Sequence, residues 1–168
     1  RREVARKTRD FKQSEERYRE LFDNMSSGVA IYEVVNDGED FRFKDMNSSG
    51  LKLSPVSRSE LIGKSVQEVF PGADKLGLLD VFRQVWITGT PGFFPCGEYQ
   101  DDEWSYWVEN YVYKLPSGEL VAIYNDVTER KKAESELIKS KNEWIKTFDA
   151  MSDIITIQDK DMRIIRAN

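Results

Sequence analysis

The sequence predicts an α+β domain with one antiparallel sheet, bracketed by two amphipathic helices, and three observations carry that prediction. Apolar residues recur every seven positions near both ends, as Val4, Phe11, Tyr18 and Met25 and again as Leu137, Trp144 and Met151. Between them, strand-like runs separated by turn residues surround a helical middle. Finally, FDNMSSG at residues 22–28 is echoed by FDAMSD at 148–153, with Tyr18 and Trp144, Phe22 and Phe148, Asp23 and Asp149, and Met25 and Met151 at one constant offset.

Residues 1–25 read as an N-terminal linker helix whose apolar seam suits contact with another helix, and Val4, Phe11 and Tyr18 are the expected dimer contacts. Lys7 and Ser14 interrupt the seam, so any coiled coil is weak. After Gly28 the period changes: VAIYEVV and FRFKDMN form a hairpin around Asp37-Gly38. Two S-x-x-E capping boxes follow, Ser57 with Glu60 and Ser65 with Glu68, each opening a short helix. Gly63 and Pro71-Gly72 end them, and a longer helix is expected over about 74–88, closed by Gly89.

Three strands come next: GFFPCGEYQ, WSYWVENYVYKL and ELVAIYND. Pro95 has no amide hydrogen to give a ladder, which places the first at a sheet edge. The other two are apolar on both alternations and need cover on both faces. Helix resumes at Thr128, a capping residue, and runs over 128–151. Strand, turn and strand then begin again over 152–168.

Composition narrows the function. A chain of 168 residues with 39% hydrophobic content supplies one core with length to spare. The net charge of -5 argues against nucleic acid as a partner, and the basic opening RREVARKTRD, mixed with Glu3 and Asp10, reads as a solvated helix face. There is no histidine, which excludes histidine-ligated haem, a phospho-accepting histidine, histidine general-base chemistry and most zinc sites within this chain. The single cysteine, Cys96, fits a reducing compartment and reads as a packed apolar residue. No apolar run approaches the ~20 residues that span a bilayer. A cytoplasmic fragment without membrane contact is expected, cut from a longer protein in which an upstream anchor stays open.

Two decoys fall away. IGKS at 62–65 ends like a phosphate loop, but Arg58 stands where the loop needs its first glycine. The acidic run Asp101-Asp102-Glu103 lacks the spacing of a calcium loop and reads as a hairpin turn. No nucleophile, base and orienting group assemble into a catalytic set, so the fragment is not expected to be an enzyme.

At SEERYRELFDNMSSGVAIYE, FKDMNSSG, SELIGKSVQEVFP and above all GELVAIYNDVTERKKAE, the chain resembles a PAS domain with its PAC tail, a sensory module of bacterial and archaeal signalling proteins. The resemblance covers nearly the whole chain, with the domain itself over 26–127, and 152–168 resemble the truncated start of a second such domain, Asn47 and Asn168 closing the two opening hairpins. It implies a five-stranded antiparallel sheet in spatial order 2-1-5-4-3 with short helices on one face and a cavity between. It also implies that Asp126, Val127 and Thr128 couple the last strand to the exit helix; on physical grounds Asp126 near a helix start could pair with Arg130 or Lys131. The cysteine motif of flavin photosensors is absent, and the cofactor is unknown. Phe43, Tyr99, Tyr106, Trp107, Tyr111 and Tyr124 are candidate cavity-lining residues for a small molecule. The implied role is a sensory and dimerisation module, homodimeric through its flanking helices, feeding an effector in the same parent chain: a histidine kinase, with a diguanylate cyclase as competitor. A ligand-free structural spacer is the alternative.

Overall fold

The computed structural model describes residues 2–100 and 105–168, apart from the side chains of Arg2 and Ala5. The chain divides after Val127 into two compact units. In the first, helix α1 (Arg2–Asn24) precedes strands β1 (Gly28–Val35) and β2 (Asp40–Met46). Four single-turn helices follow, α2 (Ser48–Leu51), α3 (Arg58–Leu61), α4 (Val66–Val69) and α5 (Gly72–Lys75), then the longer α6 (Leu78–Thr88). Strands β3 (Gly92–Gln100), β4 (Ser105–Lys114) and β5 (Leu120–Asp126) complete the unit. All five strands form one antiparallel sheet in the order β2-β1-β5-β4-β3. This is the sheet that the resemblance implies.

Local chemistry accounts for the turns and caps. The β1–β2 connection is a 3-10 turn over Asn36–Gly38 in which all three residues have positive φ. Asn and Asp tolerate that region, and Gly38 is needed twice over, because a Cβ there would lie 2.7 Å from the Trp86 ring. Both predicted capping boxes form, at Ser57 with Glu60 and Ser65 with Glu68. The single helix expected over 74–88 is in fact two: Gly77 adopts a left-handed conformation and parts α5 from α6. Pro95 lies in edge strand β3, where the register with β4 slips between Phe94 and Gly97. A bulge at that point spares the ladder a donor that proline lacks.

The core fills the space between the sheet and the middle helices, with Phe41, Phe43, Phe82, Met46, Leu61, Leu120 and Val112 fully buried. Phe82 of α6 meets Tyr32 at 5.0 Å and Phe41 edge-on at 5.2 Å between ring centres. On the other sheet face Phe22, Val29 and Val121 form a smaller cluster with Ile31, Tyr113 and Ile123 at its margin. Phe22 comes from the last turns of α1, so that end of the helix belongs to the domain. Its early seam is bare: Val4 and Phe11 are 69% and 70% exposed.

The second unit comprises α7 (Thr128–Asp149) and a hairpin of β6 (Thr156–Gln158) and β7 (Ile164–Ala167). Trp144 stacks on Phe148 at 5.2 Å and 19° of tilt, as Tyr18 stacks on Phe22 at 5.4 Å and 18° in the first unit.

Candidate functional site

The inward face of the sheet sets the site. Period-two alternation along β4 sends Tyr106, Val108, Asn110 and Val112 toward the helices and Trp107, Glu109, Tyr111 and Tyr113 to the opposite face. On central strand β5 the same alternation sends Leu120, Ala122 and Tyr124 inward, and on β1 Tyr32 lies opposite Leu120. Above them, Val66, Phe70, Ala73, Leu76 and Leu78 come from α4, α5, the start of α6 and their connections. Between these layers lies a cavity of about 50 Å³, lined also by Met46, Tyr99 and Tyr106.

The six candidates from sequence separate on this geometry. Tyr99, Tyr106 and Tyr124 line the cavity together. Tyr99 and Tyr106 stack at 4.9 Å, and Phe70 meets Tyr99 edge-on at 6.0 Å. Phe43 is buried beneath, its ring 4.9 Å from Tyr32 and 6.0 Å from Phe70, and belongs to the core rather than the lining. Trp107 and Tyr111 take the outward parity of β4, and Tyr111 is 44% exposed beside Tyr113. These two do not line the cavity; their aromatic character suggested a pocket, and strand parity overrides it.

Sequence reasoning missed Tyr32, Met46 and Asn110. Asn110 had a readable signal, being a polar residue on the inward parity of a central strand.

Among the described residues the lining has few polar groups and none that is charged: no Asp, Glu, Lys, Arg or Cys is among them. Burial pushes the Tyr32 and Tyr124 phenols above their ordinary value of 10.0, with neighbouring tyrosines adding to the effect, so both stay neutral. Among the described residues Tyr124 Oη reaches the Met46 thioether alone, at 3.5 Å. The described lining offers shape, apolar surface, and hydrogen-bonding groups from tyrosine and asparagine. Cys96, partly buried on the edge strand, lies apart from it. Among the described residues no group of His, Cys, Asp and Glu could hold a metal ion, and no helix is long and apolar enough to cross a membrane.

A second feature fixes the entrance to the sheet. Asn47, wholly buried, donates to the Phe22 carbonyl at 3.0 Å and the Ser27 carbonyl at 2.9 Å, and accepts from the Val29 and Gly50 amides, each at 2.9 Å. Arg58 donates to the Met46 carbonyl at 2.7 Å and to Asp23 at 2.6 Å, tying α3 to the end of α1. The residue that breaks the phosphate-loop pattern is therefore a structural tie. In the second unit Asn168 repeats the arrangement, donating to the Met151 and Asp153 carbonyls at 2.9 and 2.8 Å and accepting from the Ile155 amide at 2.8 Å. Ser27 and Val29 correspond to Asp153 and Ile155 at the same offset that relates Phe22 to Phe148.

The exit is abrupt. Only Val127 separates the end of β5 from the start of α7. Its side chain is buried and its amide donates to the Trp107 carbonyl at 2.8 Å. Lys131, one of the two partners expected for Asp126, bonds Glu134 at 3.1 Å.

Comparison with known proteins agrees with this architecture. Residues 22–132 match the family described as the PAS fold. Sporulation kinase E of Bacillus subtilis is 24% identical over 161 residues, which is 95% of this chain and 21% of the kinase, so the chain spans about a fifth of that relative. Among solved structures, a domain of a sensory box sensor histidine kinase/response regulator from Geobacter sulfurreducens superposes with a TM-score of 0.52 at 20% identity, over 67% of this chain and 94% of that one. The PAS domain of Bordetella pertussis BvgS gives 0.51 at 17% identity, over 81% and 98%. At these identities the structural likenesses speak for the fold alone.

Proposed function

The chain belongs to the PAS fold family, and from that premise we propose that it is a sensory and dimerisation module of a signal-transduction protein. In this reading a change at the cavity moves β5 and passes through Asp126, Val127 and Thr128 into α7, and onward to an effector in the parent protein. The observation that carries it is the connection itself. Tyr124, on the cavity wall, lies in the same central strand whose last residue is one position from the first turn of α7. A strand held on both sides, by β1 and β4, shifts as a unit, and a buried junction residue leaves little slack to absorb the shift.

The similarity to a sporulation kinase across most of this chain supports a histidine kinase as that effector. Dimerisation rests on the seam of α1, where Val4, Phe11 and Tyr18 stand on one side of the helix, the first two largely exposed and Tyr18 half-covered by its stack on Phe22. The fragment carries no catalytic set of its own in this reading. Residues 152–168 are the opening hairpin of a second PAS-like unit, a reading supported by the repeated asparagine arrangement and the repeated aromatic stack.

The small cavity favours a second reading in one respect. Pockets for drug-sized ligands run to about 300 Å³ or more, and about 50 Å³ between close-packed Phe and Tyr rings is also what a structural spacer would show. A thermal-shift screen against diverse metabolites separates the two, because a ligand that binds only the folded state raises its melting temperature. A saturable rise supports the sensor, and none across a panel spanning size and charge supports the spacer.

A further inference from the structure

Two polar groups of the cavity wall, those of Asn110 and Tyr32, have no hydrogen-bond partner among the described residues. Asn110 is 4% exposed and Tyr32 is 5% exposed. Yet no fully enclosed side-chain N or O atom among the described residues lacks a partner. The unmet atoms of Asn110 and Tyr32 therefore open onto the cavity space. A buried amide or hydroxyl left unpaired is costly, so a pair facing one space is a standing demand for an occupant.

Size and charge define that occupant. A volume of about 50 Å³ corresponds to about four water-sized positions, at 10–15 Å³ each. Among the described residues no charged side chain lines the space to compensate an ion, and transfer of an unpaired charge into it would be prohibitive. The carboxamide of Asn110 both donates and accepts, as does the Tyr32 hydroxyl. The remaining walls, Val66, Ala73 and Leu78 among them, are apolar.

We propose that this cavity binds a neutral molecule of about three to five non-hydrogen atoms, a short primary amide or alcohol, with its polar end on Asn110 and Tyr32 and its alkyl end against the helices. The proposal deepens the sensory reading and rests on it for biological meaning, but binding is measured independently of any relay.

The test is a titration of the protein with propionamide and 1-propanol, followed through the side-chain amide signals of Asn110 in nitrogen–proton correlation spectra. Propionate and propylammonium serve as charged controls of equal size. The neutral probes are expected to saturate and shift the Asn110 signals, and the charged ones to bind at least about tenfold more weakly. Asn110→Leu is expected to weaken propionamide binding about tenfold while leaving the melting temperature unchanged or higher, because it removes an unmatched buried polar group. Tyr32→Phe is expected to act in the same direction. No saturable binding of a neutral probe, equal binding of a charged one, or a lower melting temperature in Asn110→Leu would each overturn the proposal. Saturable binding that leaves α7 unaltered would sink the relay and keep the site.

Discussion

Replacing Asn47 by alanine tests how the domain's entrance is held. The side chain makes four hydrogen bonds, two donated to the Phe22 and Ser27 carbonyls and two accepted from the Val29 and Gly50 amides, in a fully buried place. At about 1 kcal/mol net for each bond the loss is about 4 kcal/mol, before any further cost for amides left dry. For a chain of this length about 4 kcal/mol lowers the melting temperature by roughly 10 °C. Urea denaturation monitored by tryptophan fluorescence measures the change directly, through the midpoint at constant slope. Asn168→Ala is the internal control: its side chain makes three bonds, two of them equivalent to those of Asn47, but in an exposed setting where water replaces them, so the cost should stay below about 1 kcal/mol. A loss of less than about 1 kcal/mol for Asn47→Ala, or equal losses at both positions, would refute the idea that burial makes this asparagine a latch.

Three further outcomes are expected. The Asp23 carboxyl is held below its ordinary value of 3.8, chiefly by the Arg58 hydrogen bond and also by those from Ser48; Glu119 is lowered by Lys44 and Ser117. Their stabilisation is present above the unfolded values and is lost as pH falls through the lower folded ones, so Asp23→Asn should flatten the acid limb of a stability-against-pH curve, and an unchanged limb would contradict this. Phe11→Glu, at an exposed seam position, should leave the melting temperature within about 1 °C while converting a dimer to monomer in sedimentation velocity; a monomeric parent at high concentration would remove the dimer reading. Gly28→Ala would place a Cβ 2.6 Å from the Tyr124 ring and should cost about 1–3 kcal/mol in urea denaturation, whereas a neutral result would mean that the ring moves freely.

Much of the fold was legible because its signals are local. Pro95 announces an edge strand through the donor it lacks, and Ser57 with Glu60 announces a helix start through a reciprocal pair of bonds. The break between α5 and α6 was not legible, since Gly77 sits among Leu76, Leu78 and Leu79 and the apolar period runs across it. The turn of helix over Ser48–Leu51 is too short to show a period and depends on a cap from Asn47. For the cavity, aromatic character singled out Tyr99, Tyr106 and Tyr124, which the structure places on one lining, but it took no account of parity, which turns Trp107 and Tyr111 outward. Asn110 was passed over because a polar residue reads as solvent-facing unless its strand neighbours fix its side. Arg58 was weighed only as a failed phosphate-loop glycine, and its tie to Met46 and Asp23 crosses a separation that no local pattern reports.

The central claim is that the exit helix reads the state of the cavity through β5. Hydrogen exchange at the amides of 128–136, compared between the unaltered protein and Asn110→Leu, addresses it without requiring any known ligand. The account predicts that the leucine, by changing the cavity wall opposite Tyr124, alters exchange in those first turns by at least about threefold and leaves the early turns of α1 unchanged. Identical exchange over 128–136 in the two proteins, with β5 itself perturbed, would contradict it.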